Sequence, residues 1–552
     1  MDNTQPPRNF VVDDDAVSSL GIPSVFDSMN GVGRDIASSA ENKEISYFRG
    51  ISGNATICAL STACLNYNLI VSAYIMYILI RNDAVSPTEA AIFITFVLTG
   101  VLVGMVFFGI SADVEGRKSS YRACLGLLLI GGALSVLSGL FLPGLVVQLT
   151  LTRFLAMIGA GGLYPFVSNM GTHEKGASQA QLVNTPVVMI FGPLGSLGFI
   201  LGTLMVVILH SSINSADVAW RVLLGTGLIP AIWLGAYDVV DTLPESWLKR
   251  KAEDDPGGTL RVPSYRQDLC SHLSKSFYKD VGILLETSYR HLMFWTSFAW
   301  FFSDALLYGN FALQALVIRS VLENGSLLDD DTTVGTTTVA VIGLGTSVAF
   351  WVGNIASIYA MRSTSLFGLQ LQGLVACSVL YLIITLCSGF LVITDEVCVL
   401  ILVLYTLTYF AMGYGPAPAT YLLPSIIFSA DVRVTANGLS ASFGKVGSIL
   451  LVFFSVDYDI DITGLMAFLS VFSILGSAVT LVEALAYRRA IASAQAKASG
   501  TQWFPSERDR ERQLYLNHFG TSVAPSTLSE AGREDELVYY REQSESDPLL
   551  AP

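Results

Sequence analysis

The chain has 552 residues, of which 52% are hydrophobic and 14% charged, with a formal net charge of −14. Soluble domains carry about 25% charged residues. The charges here crowd into the two ends, a central stretch and short loops, leaving apolar runs of membrane-spanning length that no soluble core needs. An acidic balance without a basic patch also excludes a nucleic-acid partner.

Residues 1–50, rich in Asp, Asn, Ser and Gly, read as a disordered cytosolic tail without the apolar stretch of a signal peptide. Six apolar runs follow, near Thr56–Ile80, Glu89–Ile110, Tyr121–Leu142, Leu145–Met170, Val183–His210 and Ala219–Val240. A polar loop at 245–290 carries Lys249, Arg250, Lys251, Arg261, Arg266, Lys275 and Lys279. Six more runs lie near 291–318, 336–360, 367–392, 397–423, 435–455 and 463–486, and residues 490–552 form a second polar tail. The expected fold class is an all-α membrane protein. Its twelve transmembrane helices would form two six-helix bundles, 51–244 and 291–489, joined by a cytosolic loop.

Lys and Arg set the orientation. Loops after spans two, four, six, eight and ten hold Arg117, Lys118, Arg122, Lys175, the central cluster, Arg362 and Arg433. The opposite loops hold Asp329, Asp330, Asp331, Asp395, Glu396, Asp457 and Asp459. Both ends are therefore expected in the cytosol. Asn324-Gly325-Ser326 then faces outside or a lumen, where Asn324 is a glycosylation acceptor, whereas Asn54-Ala55-Thr56 stays silent on the cytosolic side.

Seven cysteines, at 58, 64, 124, 270, 377, 387 and 398, lack metal-ligand or redox spacing, and the five histidines do not cluster. They read as packing residues. Neither a metal nor another cofactor is called for, and no nucleophile–base pair marks an enzyme.

Between spans two and three stands Gly109-Ile-Ser-Ala-Asp113-Val-Glu-Gly116-Arg117-Lys118. Gly109 permits close helix approach, Asp113 can pair at a helix end, Gly116 turns the chain, and Arg117 and Lys118 hold the loop at the cytosolic face. This loop resembles the signature of the major facilitator superfamily, where it latches neighbouring helices. Arg153 ahead of Gly159, Gly161 and Gly162, the Gly192-Pro193-Leu194-Gly195 bend and the Pro244-Glu245-Ser246 segment agree with that resemblance. The second-half counterpart, Ile355 to Arg362, lacks the acid and the glycine.

Charges in mid-span are expensive and usually functional. Two stand out, Asp304 in span seven and Lys445 in span eleven. Trp300, Asp304 and Tyr308 are four residues apart and share a helix face that offers an indole donor, an acid and a hydroxyl. The plainer alternative is a self-neutralising structural pair with aromatics as packing.

The stretches Arg153–Pro165, Trp300–Tyr308, Leu369-Gln370-Leu371-Gln372-Gly373, Tyr414-Gly415-Pro416 and Thr435–Lys445 together resemble the phosphate:proton symporter family. That resemblance implies a small-molecule substrate, phosphate with a proton, held by Tyr164, Trp300, Asp304, Tyr308 and Lys445. Asp304 would then be the proton-coupling group, admitting the anion when protonated. Several positions depart from the family: Leu163 replaces an acid, Asn66-Tyr67-Asn68 replaces an aspartate run, and Phe191 and Ala417 stand at two polar positions. A related anion, an organic solute, uniport or a sensor without net transport stays compatible with these departures.

Near the C-terminus, Glu545-Ser546-Asp547-Pro548-Leu549-Leu550 resembles an acidic dileucine sorting signal, with Glu545, Leu549 and Leu550 as the contact residues for a sorting adaptor. The membrane expected is the plasma membrane or a vacuolar or endolysosomal one.

Overall fold

The structure, a computed structural model, describes residues 53–114, 117–140, 143–170, 190–213, 215–239, 282, 287–324, 335–428, 433–457 and 461–498. The tails, most of the central loop and the dileucine segment Glu545–Leu550 lie outside the described residues. Among those described, twelve helices are long and apolar enough to cross a membrane.

The first half comprises α1 (Gly53–Arg81), α2 (Pro87–Val114), α3 (Arg117–Leu137) and α4 (Leu145–Met170), then α5 (Gly195–Ser212) and α6, which runs as Ala216–Thr226 and Ile229–Val239. The second half comprises α7, in two segments (Thr287–Asp304 and Asn310–Asn324), and α8 (Thr336–Ala360). It continues with α9 (Leu366–Phe390), α10 (Asp395–Tyr414 and Pro416–Ile427), α11 (Arg433–Asp457) and α12 (Ile462–Ala498). A helix is the natural choice in lipid, because it satisfies its own backbone hydrogen bonds within one segment. Polar caps fix several starts. Ser86 and Glu89 form a reciprocal box ahead of α2, with Ser86 N donating to Glu89 Oε2 at 2.9 Å and Glu89 N to Ser86 Oγ at 3.3 Å. Ser365 Oγ accepts from Gly368 N at the start of α9.

Outward faces carry exposed Phe107, Val147, Leu151, Ile229, Val471 and Ile474, as a lipid-facing surface requires. Inward faces pack through small residues. A Cβ on Gly104 of α2 would collide with the Ile158 carbonyl and come 2.8 Å from Gly162 N of α4. Gly104→Ala is therefore expected to destabilise the protein by about 1–3 kcal/mol. The check is the thermal transition in detergent, with Gly126→Ala as control, since a Cβ on Gly126 meets nothing within 4 Å.

The two halves meet along α5 with α8 and α2 with α11. At the first seam Thr203 and Ser347 hydroxyls lie 3.3 Å apart, and the Phe199 ring sits edge-on to Phe350 at 5.8 Å.

Among the described residues, two helices contain π turns. The expected bend in span five is one of them, Ile190–Leu194, with Pro193 inside it. Proline removes a donor and loosens the ladder there. Ser196 Oγ donates to the Gly192 carbonyl at 2.7 Å, and Asn66 Nδ2 from α1 donates to the Gly195 carbonyl at 3.0 Å. The second π turn, Ala305–Gly309, divides α7 immediately after Asp304.

Several boundaries differ from the sequence reading, most of all in α7 and α12. α7 begins at Thr287, inside the loop expected to run to 290, and extends to Asn324. α12 continues to Ala498, past the boundary expected at 489. Its last turns, Ala490-Ile491-Ala492-Ser493-Ala494-Gln495-Ala496-Lys497-Ala498, are rich in good helix formers. A polar stretch ends a hydropathy run without ending a helix.

Candidate functional site

α7 and α11 build the centre. A Cβ on Gly444 would stand 2.7 Å from Asp304 Oδ2, so only a bare backbone leaves room for the carboxylate. Lys445, the next residue, reaches it: Nζ donates to Asp304 Oδ2 at 2.5 Å. Both side chains are almost wholly buried, at 1% and 4% exposure. Nζ also sits 3.5 Å from the centroid of the Tyr308 ring, a cation–π contact. Ser448 Oγ, one turn further along α11, donates at 2.7 Å to the Asp304 carbonyl where the π turn disturbs the ladder.

The remaining predicted residues adjoin this pair. Trp300 lies one turn before Asp304, and its ring meets Tyr164 of α4 edge-on at 6.4 Å. Tyr164 meets Tyr421 of α10 edge-on at 5.5 Å. Trp300 Nε1 is buried without a hydrogen-bond partner, leaving a donor free in the interior. Tyr308 is half-buried beside Phe199, which stacks on Phe311 at 4.0 Å. The structure thus brings Tyr164, Trp300, Asp304, Tyr308 and Lys445 into one contiguous cluster. An anion entering it would find a cation, an indole N–H and tyrosine hydroxyls, and would compete with Asp304 for the ammonium.

Other motif residues are placed less fully. α2 ends at Val114 and α3 starts at Arg117, so Gly109 and Asp113 lie in α2, Arg117 and Lys118 in α3, and Gly116 outside the described residues. The placement of the Asp113, Arg117 and Lys118 side chains is also outside them. Ser111 and Ser120, flanking the loop, join their hydroxyls at 2.9 Å. Asn324 is the last residue of α7, but the rest of its sequon is not described. Gly373 and Gly415 pack backbone to backbone, which makes the Leu369–Gly373 and Tyr414–Pro416 stretches a helix contact between α9 and α10.

The comparisons decide the family. Residues 56–452 match the Major Facilitator Superfamily. The chain belongs to that superfamily. The major facilitator fold is also what the solved structures share with it. The proton:xylose symporter XylE, in complex with 6-bromo-6-deoxy-D-glucose, aligns with a TM-score of 0.57 at 15% identity, over 77% of this chain and 94% of its own. A partially occluded inward-open form of XylE from E. coli aligns with the same TM-score at 13% identity, over 77% and 95%. Among relatives by sequence, inorganic phosphate transporter PT2 of Toxoplasma gondii is 24% identical over 81% of this chain and 74% of its own. The inorganic phosphate transporter PHO84 of Saccharomyces cerevisiae is 25% identical over 64% and 65%. This major facilitator is a membrane transporter, not an enzyme.

Three polar networks of this major facilitator escape a reading by residue type. In the first, the Asn66-Tyr67-Asn68 stretch cross-links the first half. Arg153, fully buried in α4, donates to the Asn68 carbonyl at 2.9 Å, to Asn68 Oδ1 at 3.2 Å and to Ser72 Oγ at 2.8 Å. All of these partners are neutral. Asn68 Nδ2 continues to the Gly227 carbonyl at the break in α6, and the Tyr67 hydroxyl lies 2.6 Å from Thr226 Oγ1.

The second network holds α7 beyond its π turn. Asn310 Nδ2 donates to the Tyr381 hydroxyl at 2.8 Å and Oδ1 accepts from the Tyr405 hydroxyl at 2.8 Å. The Tyr409 hydroxyl donates to the Asn310 carbonyl at 3.2 Å.

The third network contains a carboxyl that the sequence reading left out. Glu483 of α12 is fully buried, with Thr296 Oγ1 donating to Oε1 at 2.7 Å. Glu483 falls inside the apolar run expected at 463–486, which in the structure extends to Ser493, but the sequence reading did not single it out. Its burial and its Thr296 partner come from the packing of α12 against α7, which no local pattern shows.

Proposed function

We propose that this protein is a secondary active transporter of a small anion, inorganic phosphate, coupled to protons, with Asp304 and Lys445 as a proton-operated lock. The observation that carries the reading is the buried Asp304–Lys445 pair, with the ammonium also against the Tyr308 ring. An ionised Asp304 holds Lys445 and repels an anion. A protonated Asp304 frees the ammonium, and the anion takes its place beside Lys445, Trp300 Nε1 and the tyrosines. Loss of the proton restores the pair and ejects the anion. Relatives named as inorganic phosphate transporters support phosphate as the substrate. Alternating access at the seams α2–α11 and α5–α8 carries the site from one face to the other.

We assign both termini to the cytosol from the Lys and Arg distribution, with the Gly109–Lys118 loop there as a gating latch. The Glu545–Leu550 segment is assigned to a sorting adaptor. In this orientation Asn324 is glycosylated, so Asn324→Gln removes an endoglycosidase-sensitive mobility shift.

The test is labelled phosphate uptake into proteoliposomes with and without an inward proton gradient. Wild type is expected to respond to the gradient. Asp304→Asn, permanently neutral, is expected to lose that response and about tenfold or more of the net uptake while still exchanging phosphate across the membrane. Binding without uptake would leave a sensor. No binding at all sinks the phosphate assignment.

A further inference from the structure

Four ionisable side chains are nearly or wholly buried in the described spans besides the tyrosines and cysteines: Arg153, Asp304, Lys445 and Glu483. Asp304 and Lys445 neutralise one another, and Arg153 is held by neutral acceptors. Among the described residues, Glu483 has no cation beside it. Its Oε1 accepts from Thr296, and Oε2 is buried without a partner.

The neighbours make this more than an isolated acid. Gln370 of α9 is fully buried, and both Oε1 and Nε2 lack partners. The residues on either side of it along the same helix face touch α12. Phe367 lies against Tyr487 at 5.6 Å between centroids, and Leu374 lies beside Gly476. Gln370 therefore faces the α12 segment between 476 and 487, where Glu483 sits. On α7, Thr296 begins a ladder at four-residue spacing, Thr296, Trp300, Asp304, which climbs about 12 Å from Glu483 to the lock. Gln370 is a further orphaned polar group at this seam.

The described charged and titratable groups around the seam supply no counter-ion. α7 brings buried Tyr289 and exposed Arg290 and His291, with Asp304 engaged by Lys445. α9 brings Cys377, Tyr381 and Cys387, none of them cationic. α12 itself brings buried Tyr487 and the exposed Arg488 and Arg489. A carboxyl in such surroundings is stable while it carries a proton and needs water or a new partner to give it up.

From these contacts we infer that Glu483 is a second proton-binding site of the transporter, loaded in the closed arrangement described here and emptied when the α7–α9–α12 seam opens to water. It adds one proton per cycle to the one carried by Asp304, an assignment that rests on the transport reading above. On release, the O–H bond at Glu483 breaks, the proton passes to water, and the carboxylate keeps the electron pair until it is reloaded.

The primary test is infrared spectroscopy of the purified full chain in liposomes across acid to alkaline pH. Wild type is expected to show a protonated-carboxyl C=O band that titrates and that Glu483→Gln removes. Thr296→Val removes one hydrogen bond to the carboxyl, so the same band should move to higher wavenumber, which keeps the assignment testable should the glutamine variant fold poorly. In uptake assays Glu483→Gln should lower the protons taken up per phosphate by one while phosphate still crosses. If wild type moves no phosphate but the band titrates, the transport reading fails and the proton site stands. A band that is missing, that does not titrate, or that sodium abolishes at constant pH overturns the proposal.

Discussion

Lys445→Met is expected to abolish phosphate uptake and to destabilise the protein by about 3–5 kcal/mol, because it leaves the Asp304 carboxylate buried without its cation. The lost pair is a direct contact at 2.5 Å between two side chains that water hardly reaches. Thermal unfolding in detergent and uptake in proteoliposomes measure the two effects separately. The double variant Asp304→Asn with Lys445→Met removes both charges together, so most of the stability should return. Transport should not return, since the anion then has no ammonium to bind. If the double variant transports at near wild-type rate, the pair is a structural neutralisation and the lock is disproved.

The second large effect is expected at Arg153. Arg153→Met deletes a guanidinium that serves Asn68 and Ser72, and leaves Asn68 Oδ1 without a donor, while the Ser72 hydroxyl still donates to the Asn68 carbonyl at 2.6 Å. Buried acceptors stranded in this way cost about 1–3 kcal/mol each, with partial relaxation. A loss of about 1–3 kcal/mol in stability, with poor surface expression, is the expected outcome. Asn68→Asp probes the same place from the other side. It sets a carboxylate against Arg153, where the present side chain is neutral, and so adds a protonatable group to the first half. Uptake in this variant should fall more steeply as external pH rises than in wild type, because protonation of the new acid is what loosens its pair with Arg153. A pH profile that superimposes on wild type would show that α1 takes no part in coupling.

The neutral α1 stretch bears on where the proton travels. Asn66, Tyr67 and Asn68 are each spent on a cross-link, to α5, α6 and α4 respectively. They tie the first half together without an acid. The buried acids of the described spans both lie in the second half, Asp304 on α7 and Glu483 on α12. On the transport reading proposed above, coupling falls on α7, the helix that both acids touch and that a π turn interrupts beside Asp304.

The sequence by itself determined the twelve spans, because an apolar run of some twenty residues has no other stable home than a bilayer-spanning helix. It also singled out Asp304 and Lys445, since a charge amid apolar residues is visible without coordinates. Trp300 and Tyr308 could be added from helical spacing alone. Pairing is where that reading ended. That Lys445 meets Asp304, and that Gly444 beside it makes the room, depends on how α11 crosses α7. Arg153 and Asn68 are 85 residues apart in the chain and Thr296 and Glu483 are 187 apart, distances over which no local pattern operates. Helix ends were also beyond reach, because hydropathy marks where apolar residues stop, while the backbone ladder of α12 continues through polar residues to Ala498. The surroundings of Glu483 were decided by the tertiary structure, in which α12 packs against α7 and α9, buries the carboxyl and gives it the Thr296 hydroxyl as a donor.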